Sequence, residues 1–361
     1  PHTIVCDEMQ DLSRLQYALL RQWGGAAERV ITAGDQDQCI YQFSGADPDI
    51  FATHRPVAQK VLSQSWRVPS AVHEAAVAWI EQIPDRVPVS YAPRDYPGYL
   101  ERTNAAWQRP QALIPSLMEH LGHGHTAMVM AACTYMLRPL VTELRGQAIP
   151  FGNPWAPDAP GGCNPLGAPH ARPRIIQAML AFARHAPDPA TGLPTGGLWT
   201  ALDLQAWSSV LKGLFRRGAR RRIQALPVDL SPLEVYGVLS ESVGFEDLAA
   251  LRRDEPDWGW FRERLNAQVA SQLVTPYAFA LVENRGLAAL TERPRLYVGT
   301  IHSFKGAEAD HVFLMPDLSR AGMAAYSGHD RATVVRQFYV GMTRARLGLT
   351  LCAPSGHWAV R

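Results

Sequence analysis

Lysine is scarce in this chain of 361 residues: only Lys60, Lys212 and Lys305 stand among 35 basic side chains, the rest being arginine. Such a bias suits a GC-rich coding sequence and leaves each lysine conspicuous. Cysteine is scarce too. Cys6, Cys39, Cys133, Cys163 and Cys352 form no C-x-x-C pair, which excludes a disulfide scaffold and fits a reducing, cytoplasmic setting. No apolar run approaches the roughly 18 residues a membrane span needs, so no membrane partner is expected. The first residue is Pro1 rather than Met, with no signal-peptide pattern behind it, as at a cut end. Formal charge is only +2, so nucleic-acid binding would depend on local placement of cations and aromatics rather than on a basic bulk.

At 47% apolar residues the chain has material for two or three cores. Alternating signals predict an α/β fold: a strand over 3–6, a helix over 12–23, strands over 29–33 and 59–62. A helix opens at Pro69 and runs to Ile83, a Pro-rich turn follows, and Thr126–Ala132 is an apolar strand leading into a helix that ends at Gly146. Strands return at 296–301, 311–315 and 347–352 around a helix over 332–346. Between them, 185–293 shows helical spacing at 202–215, 233–243 and 258–269. The second α/β region is thus split by a helical insertion, reached through an irregular Pro/Gly-rich connection over 150–173.

The chemistry-bearing residues sit at strand ends. Asp7 and Glu8 close the first strand, where one carboxylate can bind Mg²⁺ and the other can orient or deprotonate a water. After the strand over 29–33 comes Gly34-Asp35-Gln36-Asp37-Gln38, in which the Gln38 amide can sense a terminal phosphate. Tyr41 and Phe43 follow it. They can stack on bases or serve as core aromatics of an ordinary loop. Arg67 and Arg344 each offer a guanidinium that can neutralise a transferring phosphoryl group, or lie in a surface ion pair. The run Val298 to Glu308 presents Thr300, His302 and Lys305 for a phosphate backbone and Glu308 for a ribose hydroxyl, or is a structural turn.

Two weaker patterns remain. His120, His123, His125 and Cys133 hint at a metal, but no second ligand pair is evident in the sequence. Arg216, Arg217, Arg220, Arg221 and Arg222 form the densest basic cluster, fit either for duplex phosphates or for a solvated helix face.

In order and spacing these segments resemble the superfamily 1A DNA helicases of the UvrD/Rep/PcrA kind. Asp7–Asp11 resembles motif II, Gly34–Ala46 motif III, Leu62–Arg67 motif IV, Val298–Glu308 motif V and Gln337–Ala345 motif VI; Leu144 to Phe151 resembles the stretch between motifs IV and V. The resemblance implies two RecA-like P-loop NTPase-type domains, the first incomplete. They would comprise residues 1–60 for the first, 61–184 and 294–361 for the second, and 185–293 for its helical insertion.

It also implies a 3′-to-5′ helicase using ATP and Mg²⁺ on single-stranded DNA and single-strand/duplex junctions. Asp7 would hold Mg²⁺, Glu8 act as base, Gln38 read the γ-phosphate, Arg67 and Arg344 serve as fingers and Glu308 contact ribose. Tyr41, Phe43, Thr300, His302 and Lys305 would face DNA.

Departures accompany the resemblance. Phe43-Ser44-Gly45-Ala46 stands where the family has Trp-Arg-Gly-Ala, and Ser65-Trp66-Arg67 where it has Asn-Tyr-Arg. The phosphate-cradling loop expected upstream of motif II has no counterpart in these residues, so the chain alone is expected to bind ATP poorly and hydrolyse it negligibly. A DNA-binding remnant without turnover and the helicase part of a helicase–nuclease are the alternatives.

Overall fold

A computed structural model describes residues 1–84, 86–155, 173–184, 199–253 and 255–360. The expected irregular connection over 150–173, and the opening of the insertion over 185–198, lie largely outside them. From the N-terminus run β1 (Thr3–Cys6), α1 (Arg14–Gly24), β2 (Arg29–Thr32), α2 (Pro48–Thr53), β3 (Gln64–Pro69) and α3 (Ser70–Ile80). Then come β4 (Ala92–Arg94), β5 (Tyr99–Arg102), α4 (Ile114–Gly122), β6 (Ala127–Ala131) and α5 (Thr134–Gly146). Helices follow as α6 (Arg174–Phe182), α7 (Ala201–Val210), α8 (Ala219–Gln224), α9 (Pro232–Ser242), α10 (Phe245–Leu251), α11 (Trp258–Glu263), α12 (Ala267–Ala270) and α13 (Val274–Arg285). The described chain closes with β7 (Leu296–Thr300), β8 (Ala309–Leu314), α14 (Arg320–Ser327), α15 (Arg331–Met342) and β9 (Ala345–Leu351).

The elements divide into two units. One holds Pro1–Glu143, the short stretch from Asn153, and Pro294–Arg361; the other holds Leu144–Gly152 and the helices up to Arg293. In the first unit every strand pair is parallel: β1 with β2, β3 with β4, and a five-stranded sheet in the order β5-β9-β8-β6-β7. Parallel strands need helical crossovers on their faces, so an inner strand is covered on both sides and reads as a continuous apolar run. Residues Ala127–Ala131 of β6 are buried at every position. Alternate side chains separate the two faces. Met128, Met130, Val312, Leu314 and Leu349 join Val335, Phe338 and Val340 of α15 in one core, whereas the intervening residues point to the face on which α4 lies.

The second unit is helical among its described residues. Capping boxes start α7 (Thr200 with Asp203) and α9 (Ser231 with Glu234), each satisfying two orphan helix donors. Its centre is aromatic. Trp207 is fully buried and its Nε1 donates to Ala178 O at 3.0 Å, while Phe182, Trp258, Phe261 and Phe279 meet edge-on or tilted.

Three local expectations are corrected. The strand expected over 59–62 begins instead at Gln64, because Val61 and Leu62 are exposed and pair with nothing regular. The Pro-rich turn carries two short strands, β4 and β5, whose partners are supplied from elsewhere: β3 and the distant β9. The helix expected over 258–269 is two helices, α11 and α12, divided where Asn266 caps the second by accepting from Val269 N.

Candidate nucleotide and nucleic-acid site

Residues at the carboxyl ends of β1 and β2 meet groups from the C-terminal part of the first unit. Glu8 sits in the left-handed region (φ 51°, ψ 40°) directly after β1. A non-glycine residue there stores strain of about 1 kcal/mol or more, so its neighbours must hold it. Met9 N donates to Ala33 O at 2.9 Å, Glu8 N donates to Asp7 Oδ1 at 2.9 Å, and the Gln10 amide donates to the Glu8 carboxylate. Gln10 is fully buried and also accepts from Asp35 N at 3.0 Å, tying the ends of the two strands together.

Gln38 connects this edge to α15. Its Nε2 donates to Asp35 Oδ2 at 2.8 Å, and its Oε1 accepts from Arg344 Nη2 at 3.2 Å. Arg344 is buried, and among the described residues its guanidinium otherwise donates only to Val340 O and Thr343 Oγ1. Burial, and after it the charge of Arg67, pull Arg344 down to about 9. Arg67, on β3, is likewise lowered by burial, and its Nε has no hydrogen-bond partner among the described residues. Neither guanidinium has a carboxylate within ion-pair distance among those residues. Two cations placed side by side without an anion destabilise the fold unless an anion arrives. That donor set fits phosphate oxygens.

Glu308, at the entry to β8, is half-exposed and pairs with Arg346 at 3.0 Å, and its charge also acts on Arg67. The expected DNA-facing residues fall into two groups. Tyr41, Phe43 and His302 form one aromatic cluster, with ring centroids 6.0 Å (Tyr41–Phe43), 6.1 Å (Tyr41–His302) and 5.4 Å (Phe43–His302) apart. Tyr41 Oη donates to His302 O at 3.1 Å and His302 Nε2 lies 3.2 Å from Ile40 O, so the cluster is pinned from both sides. Phe43 alone is open, at 77% exposure.

Lys305 turns away from solvent. Its ammonium is bound by Asp11, lies 3.5 Å from Glu8 Oε2 and sits 5.0 Å above the Tyr41 ring. Thr300 ends β7 and accepts from Ser303 N at 3.3 Å through Oγ1, shaping the turn rather than joining the aromatic cluster.

Other contacts of the site join motif residues to partners that carry no sequence signal. Asp37 forms a largely buried ion pair with Arg86 at 2.7 Å, and Tyr91 Oη meets Tyr339 Oη at 3.2 Å. Arg86 and Tyr91 come from the Pro-rich segment, where nothing in spacing announces them. Asp11 is the exception in kind. It lies inside the first carboxylate cluster, and the scarcity of lysine marks Lys305 as the cation to pair with it.

Comparison with known proteins places both halves of this arrangement. Residues 1–58 match the UvrD/REP helicase N-terminal domain, and residues 295–352 match the UvrD-like helicase C-terminal domain. Both matched segments are thus similar to UvrD-like helicase domains. DNA helicase II of Salmonella typhimurium is 39% identical over 82 residues, 22% of this chain and 11% of that protein. DNA helicase II of Escherichia coli is 38% identical over 82 residues, with the same coverage of each chain. The alignment therefore spans about a tenth of the length of these curated relatives. In this UvrD-like chain, Ser44 donates to Tyr41 O at 2.8 Å, and Trp66 is 84% exposed beside the buried part of β3.

Proposed function

We propose that this chain supplies the hydrolytic residues and part of the single-strand track of an ATP-driven 3′-to-5′ DNA helicase. In this reading the architecture is that of two RecA-like domains with a helical insertion in the second. Asp7 holds Mg²⁺ with its carboxylate, and Glu8 takes the proton of the attacking water. Bound Mg²⁺ supplies positive charge against the phosphates as they part. Gln38 senses the terminal phosphate, Arg67 and Arg344 neutralise it, and Glu308 turns to ribose once released by Arg346. The observation that carries this reading is Gln38, held between Asp35 and a buried Arg344 that has no ion-pair partner among the described residues.

Phe43 is the exposed face on which a base of single-stranded DNA stacks, with Tyr41 and His302 buttressing it and Thr300 shaping the adjoining turn. Lys305 is a link between the two sets of residues rather than a phosphate contact: its ammonium ties the turn after β7 to Asp11 and Glu8. The arginines at 216, 217, 220, 221 and 222 are exposed, and Arg222 is only loosely paired with Glu241 at 3.5 Å, leaving this face for duplex phosphates at a junction.

In a polypeptide carrying this chain together with a phosphate-binding loop, Glu8→Gln is expected to abolish DNA-stimulated ATP turnover while leaving single-strand affinity intact. Unchanged turnover removes Glu8 from the base role. Strand displacement on partial duplexes with 3′ or 5′ tails tests direction; unwinding only of 5′-tailed substrates overturns it. Phe43→Ala is expected to weaken single-strand binding by the chain itself roughly 5- to 150-fold, the worth of one stacked base.

A further inference from the structure

The sequence offers His120, His123 and His125 as a metal pattern lacking a partner. The fold brings that partner from far along the chain. His120 lies in the last turn of α4, His125 precedes β6, and His311 is the third residue of β8, in register with Ala127 of β6. One nitrogen from each ring can be chosen so that all three lie within 4.8 Å of one another. The rings of His120 and His311 stack with centroids 3.6 Å apart at 13°, and those of His125 and His311 are 4.9 Å apart. His311 belongs to the strand phase opposite Val312 and Leu314, so the cluster lies across the sheet from the core formed with α15.

We propose that His120, His125 and His311 form a binding site for a divalent transition metal of the zinc class.

The geometry supports this beyond mere proximity. Tetrahedral zinc with nitrogen ligands at about 2.0–2.1 Å sets neighbouring nitrogens about 3.4 Å apart. His311 Nε2 and His125 Nδ1 are already 2.9 Å apart, and His120, stacked face to face on His311, must turn out of that stack to bring its nitrogen to the ion. Imidazole suits zinc, copper and nickel better than magnesium or calcium. His311 is buried while His120 and His125 are half-buried, so an ion can enter from solvent and keep a water as fourth ligand.

The surroundings hold the rings for this purpose. Tyr99 Oη lies 2.6 Å from His311 Nδ1 and 3.4 Å from His120 Nε2. With metal bound, His311 Nδ1–H would donate to Tyr99 Oη, leaving Nε2 unprotonated toward His125, the way an outer hydrogen bond orients a metal-binding histidine. Gly348 makes this possible. It pairs with Tyr99 on one side and His311 on the other, and a Cβ there would lie within the Tyr99 ring. Without metal, Tyr99 O–H donates to His311 Nδ1 and His311 Nε2–H donates to His125 Nδ1, a chain that leaves no ring nitrogen of His311 unsatisfied. Coordination through His311 Nε2 shifts the ring proton to Nδ1, where Tyr99 Oη accepts it, with no net proton lost from the imidazole.

Metal-free chain titrated with Co²⁺ is expected to take up one ion with the visible absorption of a tetrahedral complex and to yield the cobalt to Zn²⁺. His125→Ala and, independently, His120→Gln are expected to weaken binding at least tenfold, while His357→Ala, an exposed histidine elsewhere, leaves it unchanged. Circular dichroism of the metal-free variants checks that they fold. Absence of stoichiometric binding to the unaltered chain, or unchanged affinity in both folded triad variants, overturns the proposal.

Discussion

Arg344 is a cation in a place where a cation is costly, and its neighbours show what relieves it. Gln38 and two neutral oxygens accept from it, but its nearest like charge is Arg67 and no carboxylate pairs with it among the described residues. Arg344→Ala, assayed in the intact polypeptide, is expected to cut ATP hydrolysis by roughly three to five orders of magnitude, as loss of an arginine finger does; a wild-type rate removes it from the site. His302 makes a second residue-level prediction. Burial lowers its imidazole below the ordinary value, so the unfolded chain takes up a proton before the folded one does. Stability is then full above about pH 6.5 and falls as pH drops below it. His302→Asn should flatten the pH dependence of the urea midpoint between about pH 7 and pH 5, and an unchanged profile would show that another group carries it. At this scale the sequence named Arg67, Arg344, Gln38 and Tyr41 through local pattern. It did not reveal that Lys305 faces Asp11 instead of solvent, since that depends on two turns meeting in space.

Elements were legible where one pattern sufficed. The run Ala127–Ala131 is apolar at both phases, as a strand covered on both faces must be, and α7 and α9 announce themselves with capping residues. Failures occurred where pairing partners are remote. Tyr99–Arg102 is a strand only because Gly348–Leu351 lies alongside, and four residues with one burial-neutral face carry too little periodicity to show it. The turn after β7 illustrates how tightly such elements are fitted. At Gly299 an added Cβ would fall within contact distance of Asn153 Nδ2, Ser303 Oγ and the Phe304 ring. Gly299→Ala is therefore expected to destabilise the chain by about 1–3 kcal/mol, the cost of overpacking. Thermal unfolding checks this, and a midpoint equal to the parent's would show that the turn can give way.

For the molecule as a whole, a charge of +2 hides an uneven distribution. Neutralising Arg220, Arg221 and Arg222 together should lower junction-DNA affinity and reduce the slope of log affinity against log salt by up to about 3; an unchanged slope assigns them to a solvated face. The helical character of the second unit was readable from spacing, whereas the cluster joining Tyr99, His120, His125 and His311 was not, because its members come from four separate elements. The clasp of Lys305 on Asp11 has one more consequence, and it concerns time. The two residues are separated by 294 positions, and Gln38 and Arg344 by 306. At a synthesis rate of about 5–20 residues per second, the first carboxylates leave the ribosome roughly 15–60 s before the residues that hold them. Until then Glu8 has no ammonium beside it and Gln38 no guanidinium from which to accept, so the site stays unassembled throughout that interval.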